Sequence, residues 1–124
     1  MSGWTIVLVG LGAAVGAPLR YLADSAARSR FDSAFPWGTF AVNIAGSLLL
    51  GALTAATAVL PAGIAALLGP GFCGALTTYS TFGHELVALA ERRAGRTAVG
   101  YLLGSVLAGV LAAAAGWAAV RLAL

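Results

Sequence analysis

Apolar residues dominate four long stretches of the chain, at about residues 4–22, 38–59, 64–90 and 97–120. Each stretch is long enough for a transmembrane helix, which needs about 20 residues to cross the hydrocarbon core of a bilayer. Charged residues are confined to the ends and connections, since none lies between Asp32 and Glu85 or between Arg96 and Arg121. The pattern predicts an all-α membrane protein with four transmembrane helices, forming a single integral membrane domain over residues 1–124.

The third stretch contains a segment, residues 70–82, that is a poor continuous helix. Proline and glycines at its start disfavour helix, and serine and threonine hydroxyls crowd between the rings of Tyr79 and Phe82. Hydrocarbon contains no water for unpaired backbone groups, so irregular backbone at this depth must be buried in protein or line a polar path. The sequence therefore predicts that the third helix is broken near its middle and that this break is the functional centre.

Polar residues in the second span share one helical face. Thr39, Asn43 and Ser47 recur every four residues. An amide without a partner is costly in hydrocarbon, so Asn43 should point at protein or water. A hydrogen bond between helices and a donor lining a pore both stay open as interpretations, and the depth of Asn43 within the span favours the pore.

Small residues recur at a spacing that lets helices approach closely, at Gly12 and Gly16 in the first span and at Gly100 and Gly104 in the fourth. Arg20 closes the first span. It is either an interfacial arginine whose stem lies along the membrane or a cation that faces an aqueous vestibule.

Composition excludes several classes of protein. The chain is 60% hydrophobic and 9% charged, too little charge to cover a soluble domain. Cys73 and His84 are too few ligands for a structural zinc site. Ser80, His84 and Glu85 do not form a nucleophile–base–orienter chain by spacing, so we predict that the protein is not an enzyme. The net charge of +3 comes without a basic stripe between aromatics, so we expect no nucleic-acid partner.

Four motifs, in chain order, resemble the Fluc (CrcB-type) fluoride channel family. They are Gly12-x-x-x-Gly16-Ala-x-x-Arg20-Tyr21, Gly38-Thr-x-x-Val-Asn43-x-x-Gly46, Gly71-Phe-Cys-Gly-Ala-Leu-Thr-Thr-Tyr-Ser-Thr-Phe82 and Tyr101-x-x-x-Ser105. The third motif is long enough to be specific, and together the four cover almost the whole chain.

The resemblance implies a fluoride-selective channel in a bacterial plasma membrane, through which fluoride leaves the cell passively. It implies an antiparallel dimer with two narrow pores, in which the second subunit is either a copy of this chain or an oppositely oriented paralogue. The pore-lining residues would be Asn43, Tyr79, Ser80, Thr81, Phe82, Tyr101 and Ser105. Arg20 and Glu85 would lie toward the pore openings. A structural sodium ion would be held by the backbone carbonyls of Gly74 and Thr77.

These residue types suit a small, strongly hydrated anion. Amide and hydroxyl donors can replace lost water, and an aromatic ring such as Phe82 offers a positive edge without a fixed charge. Sodium suits the carbonyls of unwound backbone. The chain departs from the family pattern at Ala75, Tyr79 and Gly109, where glycine, phenylalanine and a hydroxyl residue are expected. These departures leave open whether both pores of a dimer conduct.

Two other functions remain as alternatives: a small multidrug-type proton-coupled exporter and a non-transporting assembly subunit. The exporter needs a carboxylate deep in a span, and Glu85 falls toward the end of the third. The loops at about residues 28–30 and 92–96 share one side of a four-span protein and carry five arginines. Because arginines favour the cytoplasmic side, both termini are predicted to lie outside, which favours pairing with an oppositely biased paralogue.

Overall fold

The computed structural model describes residues 3–31 and 33–124, and these residues contain helices and connections but no strand. The elements in chain order are α1 (Gly3–Arg30), α2 (Trp37–Ala55), α3 (Ala62–Ala66), a π-helical segment (Leu67–Cys73), α4 (Gly74–Leu76), α5 (Ser80–Glu91) and α6 (Gly95–Ala123).

Four helical stretches are long and apolar enough to cross a bilayer: Gly3–Arg30, Trp37–Ala55, Ala62–Glu91 and Gly95–Ala123. Each of them overlaps one of the four predicted spans, so the prediction of an all-α membrane protein with four transmembrane helices is confirmed. The first helix extends beyond the predicted span.

Helix α1 continues through residues 24–30, which the sequence assigned to a loop. Arg28 and Asp24 lie one turn apart in this extension and form an ion pair 2.6 Å long. Helix α2 instead ends early, at Ala55, and residues 56–59 form a turn.

Glycines on α1 allow it to pack against the first half of the third span. A Cβ atom built on Gly12 would overlap the carbonyl oxygen of Leu67, and one on Gly16 would lie 2.5 Å from that of Phe72. The contact is reciprocal, because a Cβ on Gly71 would lie 2.8 Å from the carbonyl oxygen of Val9. The close approach predicted at Gly12 and Gly16 is therefore confirmed, and its partner is the third span.

Helices α2 and α6 pack through a different pair of glycines from the one singled out in the sequence. A Cβ on Gly51 would overlap the carbonyl oxygen of Ala113, and one on Gly116 would overlap that of Leu48. At Gly100 and Gly104 no atom lies within 4 Å of such a Cβ among the described residues. The pair at residues 100 and 104 is therefore not a packing site within this chain.

Candidate functional site

The third span loses its helical path at residues 77–79. Helix α4 ends at Leu76, Thr77 is extended with φ −81° and ψ 159°, and α5 begins at Ser80. This interruption is narrower than the predicted 70–82. Pro70 and Gly71 lie within the π-helical segment, whose wider i→i+5 turns accommodate them without ending the helix. The chain therefore stays helical until Leu76.

The side chain of Asn43 bridges α2 to this interruption. Its Nδ2 donates to the carbonyl oxygen of Thr78 over 3.1 Å, and its Oδ1 accepts the N–H of Thr78 over 2.9 Å. The amide thus takes the place of the backbone partners that a continuous helix would give Thr78. Of the two interpretations of Asn43, the hydrogen bond between helices is present, and one N–H of the amide remains for another acceptor.

The hydroxyl of Thr78 caps the first turn of α5. Its Oγ1 accepts the backbone N–H of Thr81 over 3.2 Å and donates to the Thr81 hydroxyl over 3.0 Å. This satisfies one of the free N–H groups that every helix leaves at its N-terminus. Thr81, predicted to line a pore, is therefore engaged locally at the interruption, and Ser80 is exposed beside it.

A cavity of about 520 Å³ lies between α2, the interruption and α6. Six of the predicted site residues line it: Asn43, Gly74, Thr77, Tyr79, Phe82 and Ser105. The other three predicted pore residues, Ser80, Thr81 and Tyr101, do not line it. Tyr79 is 87% exposed in the single chain, and its ring centroid lies 6.5 Å from that of Phe82.

Ser105 brings an unpaired hydroxyl to this cavity. Its Oγ is buried, and no hydrogen-bond partner for it exists among the residues that the structure describes. Buried hydroxyls are rarely left unpaired, so this atom is suited to a ligand or water in the cavity. The hydroxyl nearest to Gly109 comes from α2, because Ser47 Oγ lies 3.6 Å from where a Cβ on Gly109 would stand.

Tyr101 lies behind Phe82 and is completely buried. The two rings meet edge to face, with centroids 4.9 Å apart and planes at 64°. The Tyr101 hydroxyl donates to Glu85 Oε1 over 3.0 Å, and the hydroxyl of Thr39 lies beside both groups. The tyrosine thus links the ring that faces the cavity to a carboxylate nearer the end of α5.

A second cavity, of about 270 Å³, lies between the end of α1, the α1–α2 connection and the end of α5. Glu85 lines it together with Asp24, Arg28 and Arg92. Glu85 therefore lies among charged side chains in this cavity. Arg20, the other predicted vestibule residue, is half-buried and lines neither cavity.

Backbone carbonyls at the interruption are the type of donor that the sodium ion implied by the resemblance would need. Thr78 N–H is turned to Asn43 and Thr81 N–H to the Thr78 hydroxyl, so the carbonyls of Gly74 and Thr77 lose their helical donors. Carbonyl oxygen suits a hard cation, but two oxygens cannot complete a shell of about six ligands. Within residues 3–31 and 33–124, no cluster of three or more His, Cys, Asp or Glu side chains could hold a metal ion instead.

Sequence reasoning did not assign Thr78, Thr39 and Phe35 to the site. Thr78 lies in the hydroxyl-rich segment and Thr39 shares the face of Asn43, so the sequence pattern could have assigned both to the site. No sequence pattern indicates Phe35, because its approach to Tyr101 depends on how the α1–α2 connection folds back.

Comparison with known proteins gives one family. The model of the family described as CrcB-like protein, Camphor Resistance (CrcB), matches residues 7–117. The chain is 51% identical over 118 residues to the fluoride-specific ion channel FluC 1 of Streptomyces avermitilis, which covers 91% of each chain. It is 52% identical over 116 residues to the protein of the same name from Thermobifida fusca, which covers 94% of this chain and 95% of that one. The chain therefore belongs to the CrcB family, the one that its motifs resemble, and is a multi-pass protein of a bacterial membrane.

Proposed function

We propose that this protein lets fluoride leave the cell passively through a path built around the interruption of its third span. The observation that carries the proposal is the buried hydroxyl of Ser105, which has no partner within residues 3–31 and 33–124 and lies in a cavity that Asn43 and Phe82 also line. Its relatives from Streptomyces avermitilis and Thermobifida fusca are named fluoride-specific ion channels.

The chemistry of the cavity lining suits a small anion in transit. Ser105 offers an O–H group, Asn43 keeps one N–H group, and Phe82 offers a ring edge with partial positive charge. No charged side chain lines this cavity among the described residues. Because conduction needs sites weak enough to release the ion, several neutral donors serve better than one buried cation.

The ends of the helices add to this preference for an anion. Helix α5 begins at Ser80, next to the cavity, and a helix N-terminus carries partial positive charge. The first turn of a helix also has backbone N–H groups without helical acceptors. The Thr78 hydroxyl accepts one of them, the N–H of Thr81. An anion at the interruption would therefore meet donors from both backbone and side chains.

A structural sodium ion on the carbonyls of Gly74 and Thr77 is part of the proposal, with the remaining oxygens supplied by a second subunit. The exposure of Tyr79 at the interruption and the open space around Gly100 and Gly104 both support the presence of a partner subunit. An antiparallel partner, either a copy of this chain or an oppositely oriented paralogue, would bring the two interruptions together.

Fluoride efflux from liposomes tests the function. Purified protein in liposomes loaded with potassium fluoride should release fluoride to an ion-selective electrode once valinomycin dissipates the potential, without a proton gradient. Liposomes loaded with chloride should release little. Release that requires a proton gradient would indicate an exporter, and no release of either anion would indicate an assembly subunit, so both would overturn the proposal.

A further inference from the structure

The α1–α2 connection brings the ring of Phe35 into the protein. The backbone there is held locally, since the Phe35 N–H donates to Ser33 Oγ over 3.1 Å and the Phe35 carbonyl accepts the N–H of Trp37 over 2.9 Å. The ring then packs on Trp37, with centroids 4.4 Å apart, and meets Phe40 edge to face at 5.5 Å. Phe35 is thus fixed by its neighbours, although it belongs to a connection.

The inner edge of this ring lies against Tyr101. Their centroids are 5.2 Å apart and their planes meet at 74°. Phe82 makes a similar edge contact with Tyr101 at 4.9 Å, so two rings pack against the buried tyrosine. These contacts leave the tyrosine little freedom to turn, and in this orientation its hydroxyl reaches Glu85.

Tyr101 contacts side chains that line the two cavities. Phe35 and Glu85 line the cavity of about 270 Å³, and Phe82 lines the cavity of about 520 Å³. Tyr101 itself lines neither, but it contacts all three of these residues. A change in the orientation of Tyr101 would therefore affect the lining of both cavities.

We propose that Phe35 is a positioning residue of the permeation path, which holds Tyr101 in the orientation that serves both Glu85 and Phe82. The inference rests on the proposed function, because it concerns the same path. Without the Phe35 ring, Tyr101 gains space on the side of the smaller cavity. Its hydroxyl can then leave Glu85, and Phe82 loses the ring that supports its orientation.

The test is fluoride efflux from liposomes for Phe35→Ala, with Trp4→Ala as the control for loss of an aromatic ring. Trp4 lies on α1, is 67% exposed and lines neither cavity. We expect Phe35→Ala to slow efflux by about tenfold, the size of effect that loss of an edge contact between rings can have. Trp4→Ala should conduct like the unaltered protein, and so should Phe35→Tyr, which keeps the ring.

A second comparison separates positioning from general packing. Tyr101→Phe keeps the ring but removes the hydroxyl that reaches Glu85. If Phe35 acts through that hydroxyl, Phe35→Ala added to Tyr101→Phe should slow efflux by less than the product of the two single effects. Effects that multiply would overturn the inference, as would full efflux in Phe35→Ala or an equal loss in Trp4→Ala.

Folding of each variant is checked by gel filtration in detergent. If Phe35→Ala does not fold, Phe35→Leu is measured in its place, because it keeps apolar volume but not the ring. Efflux should again slow by about tenfold. Combined with Tyr101→Phe, the loss should again be less than the product of the two single effects. Unaltered protein that releases no fluoride would overturn the proposed function itself. If the unaltered protein and the Phe35 variant release fluoride equally fast, only the positioning role is overturned.

Discussion

At the scale of single residues, the side-chain amide of Asn43 supplies the hydrogen bonds that backbone groups would give Thr78 in a continuous helix. Its amide forms two hydrogen bonds to Thr78, a residue 35 positions away along the chain. A net contribution of about 1 kcal/mol for each such bond is typical in folded proteins, and a buried group left unpaired costs more. Asn43 therefore stabilises the interruption that it also borders.

We expect Asn43→Asp to abolish fluoride efflux from liposomes. The carboxylate cannot donate to the Thr78 carbonyl, and its negative charge would stand in a cavity lined by neutral groups. Thr54→Val is the control, because Thr54 lies on the same helix, binds only the Leu50 carbonyl through its hydroxyl and lines neither cavity. Full efflux in Asn43→Asp would contradict the assignment of this cavity to the path.

Ser105→Ala should separate function from stability. The Ser105 hydroxyl has no partner in the described part of the chain, so its removal should change the free energy of unfolding by less than about 0.5 kcal/mol. Fluoride efflux should nevertheless fall by about tenfold, since a hydrogen bond to a charged partner is worth about 1.5–3 kcal/mol. Thermal unfolding in detergent and liposome efflux give the two values, and a stability loss without an efflux loss would contradict this role.

At the scale of elements, the interruption ends because α5 is capped by a side chain from within it. The Thr78 hydroxyl binds the N–H of Thr81, while its backbone is held by Asn43. The two sets of bonds use different atoms of Thr78, so they can be removed separately.

Thr78→Val should destabilise the protein by about 1 kcal/mol, the usual cost of losing an N-terminal cap. Valine keeps the shape and the backbone bonds to Asn43 but cannot bind the Thr81 N–H. Thr78→Ser should keep most of the stability. The control is Thr57→Val, where the lost hydroxyl bonds reach only carbonyls at the exposed end of α2. Equal melting temperatures for Thr78→Val and the unaltered protein would show that the cap is unimportant.

The packing of α1 on the third span depends on the absence of side chains at two positions. Gly12→Ala should destabilise the fold by about 1–3 kcal/mol, because its methyl group meets the backbone of Leu67, which cannot move aside as a side chain could. Gly10→Ala is the matched control, since no atom lies near its Cβ and alanine favours helix. Gel filtration and thermal melts compare the two, and an intact Gly12→Ala protein would contradict this packing.

At the scale of the whole molecule, the arginines of the two connections lie at one end. The cavity of about 270 Å³ brings Arg28 from α1 together with Arg92 beyond α5, so the two arginine-bearing connections lie on the same side. Arginine-rich connections favour the cytoplasmic side, so the fold predicts a fixed orientation with both termini outside.

Reporter fusions after Leu124 test this orientation. A reporter active only outside the cell should be active, and one active only in the cytoplasm should be silent. Neutral substitutions of Arg92 and Arg93 together should weaken the bias. Equal activity of both reporters on the unaltered chain would refute a fixed orientation and favour a dimer of identical subunits.

The sequence by itself determined the number of spans and the place of the irregular segment. Both follow from local properties: the length of apolar runs and the concentration of glycine, proline and hydroxyl residues. Spacing alone also indicated the close approach at Gly12 and Gly16, although the same spacing at Gly100 and Gly104 gave no contact within the chain.

Only the tertiary structure decided which groups meet. It narrowed the interruption to residues 77–79, joined Asn43 to Thr78, and set Phe35 against Tyr101. Hydropathy places each helix in the bilayer, but partners far apart in the chain are chosen by the register in which the helices pack. That register is a property of all the contacts together, which no local pattern contains.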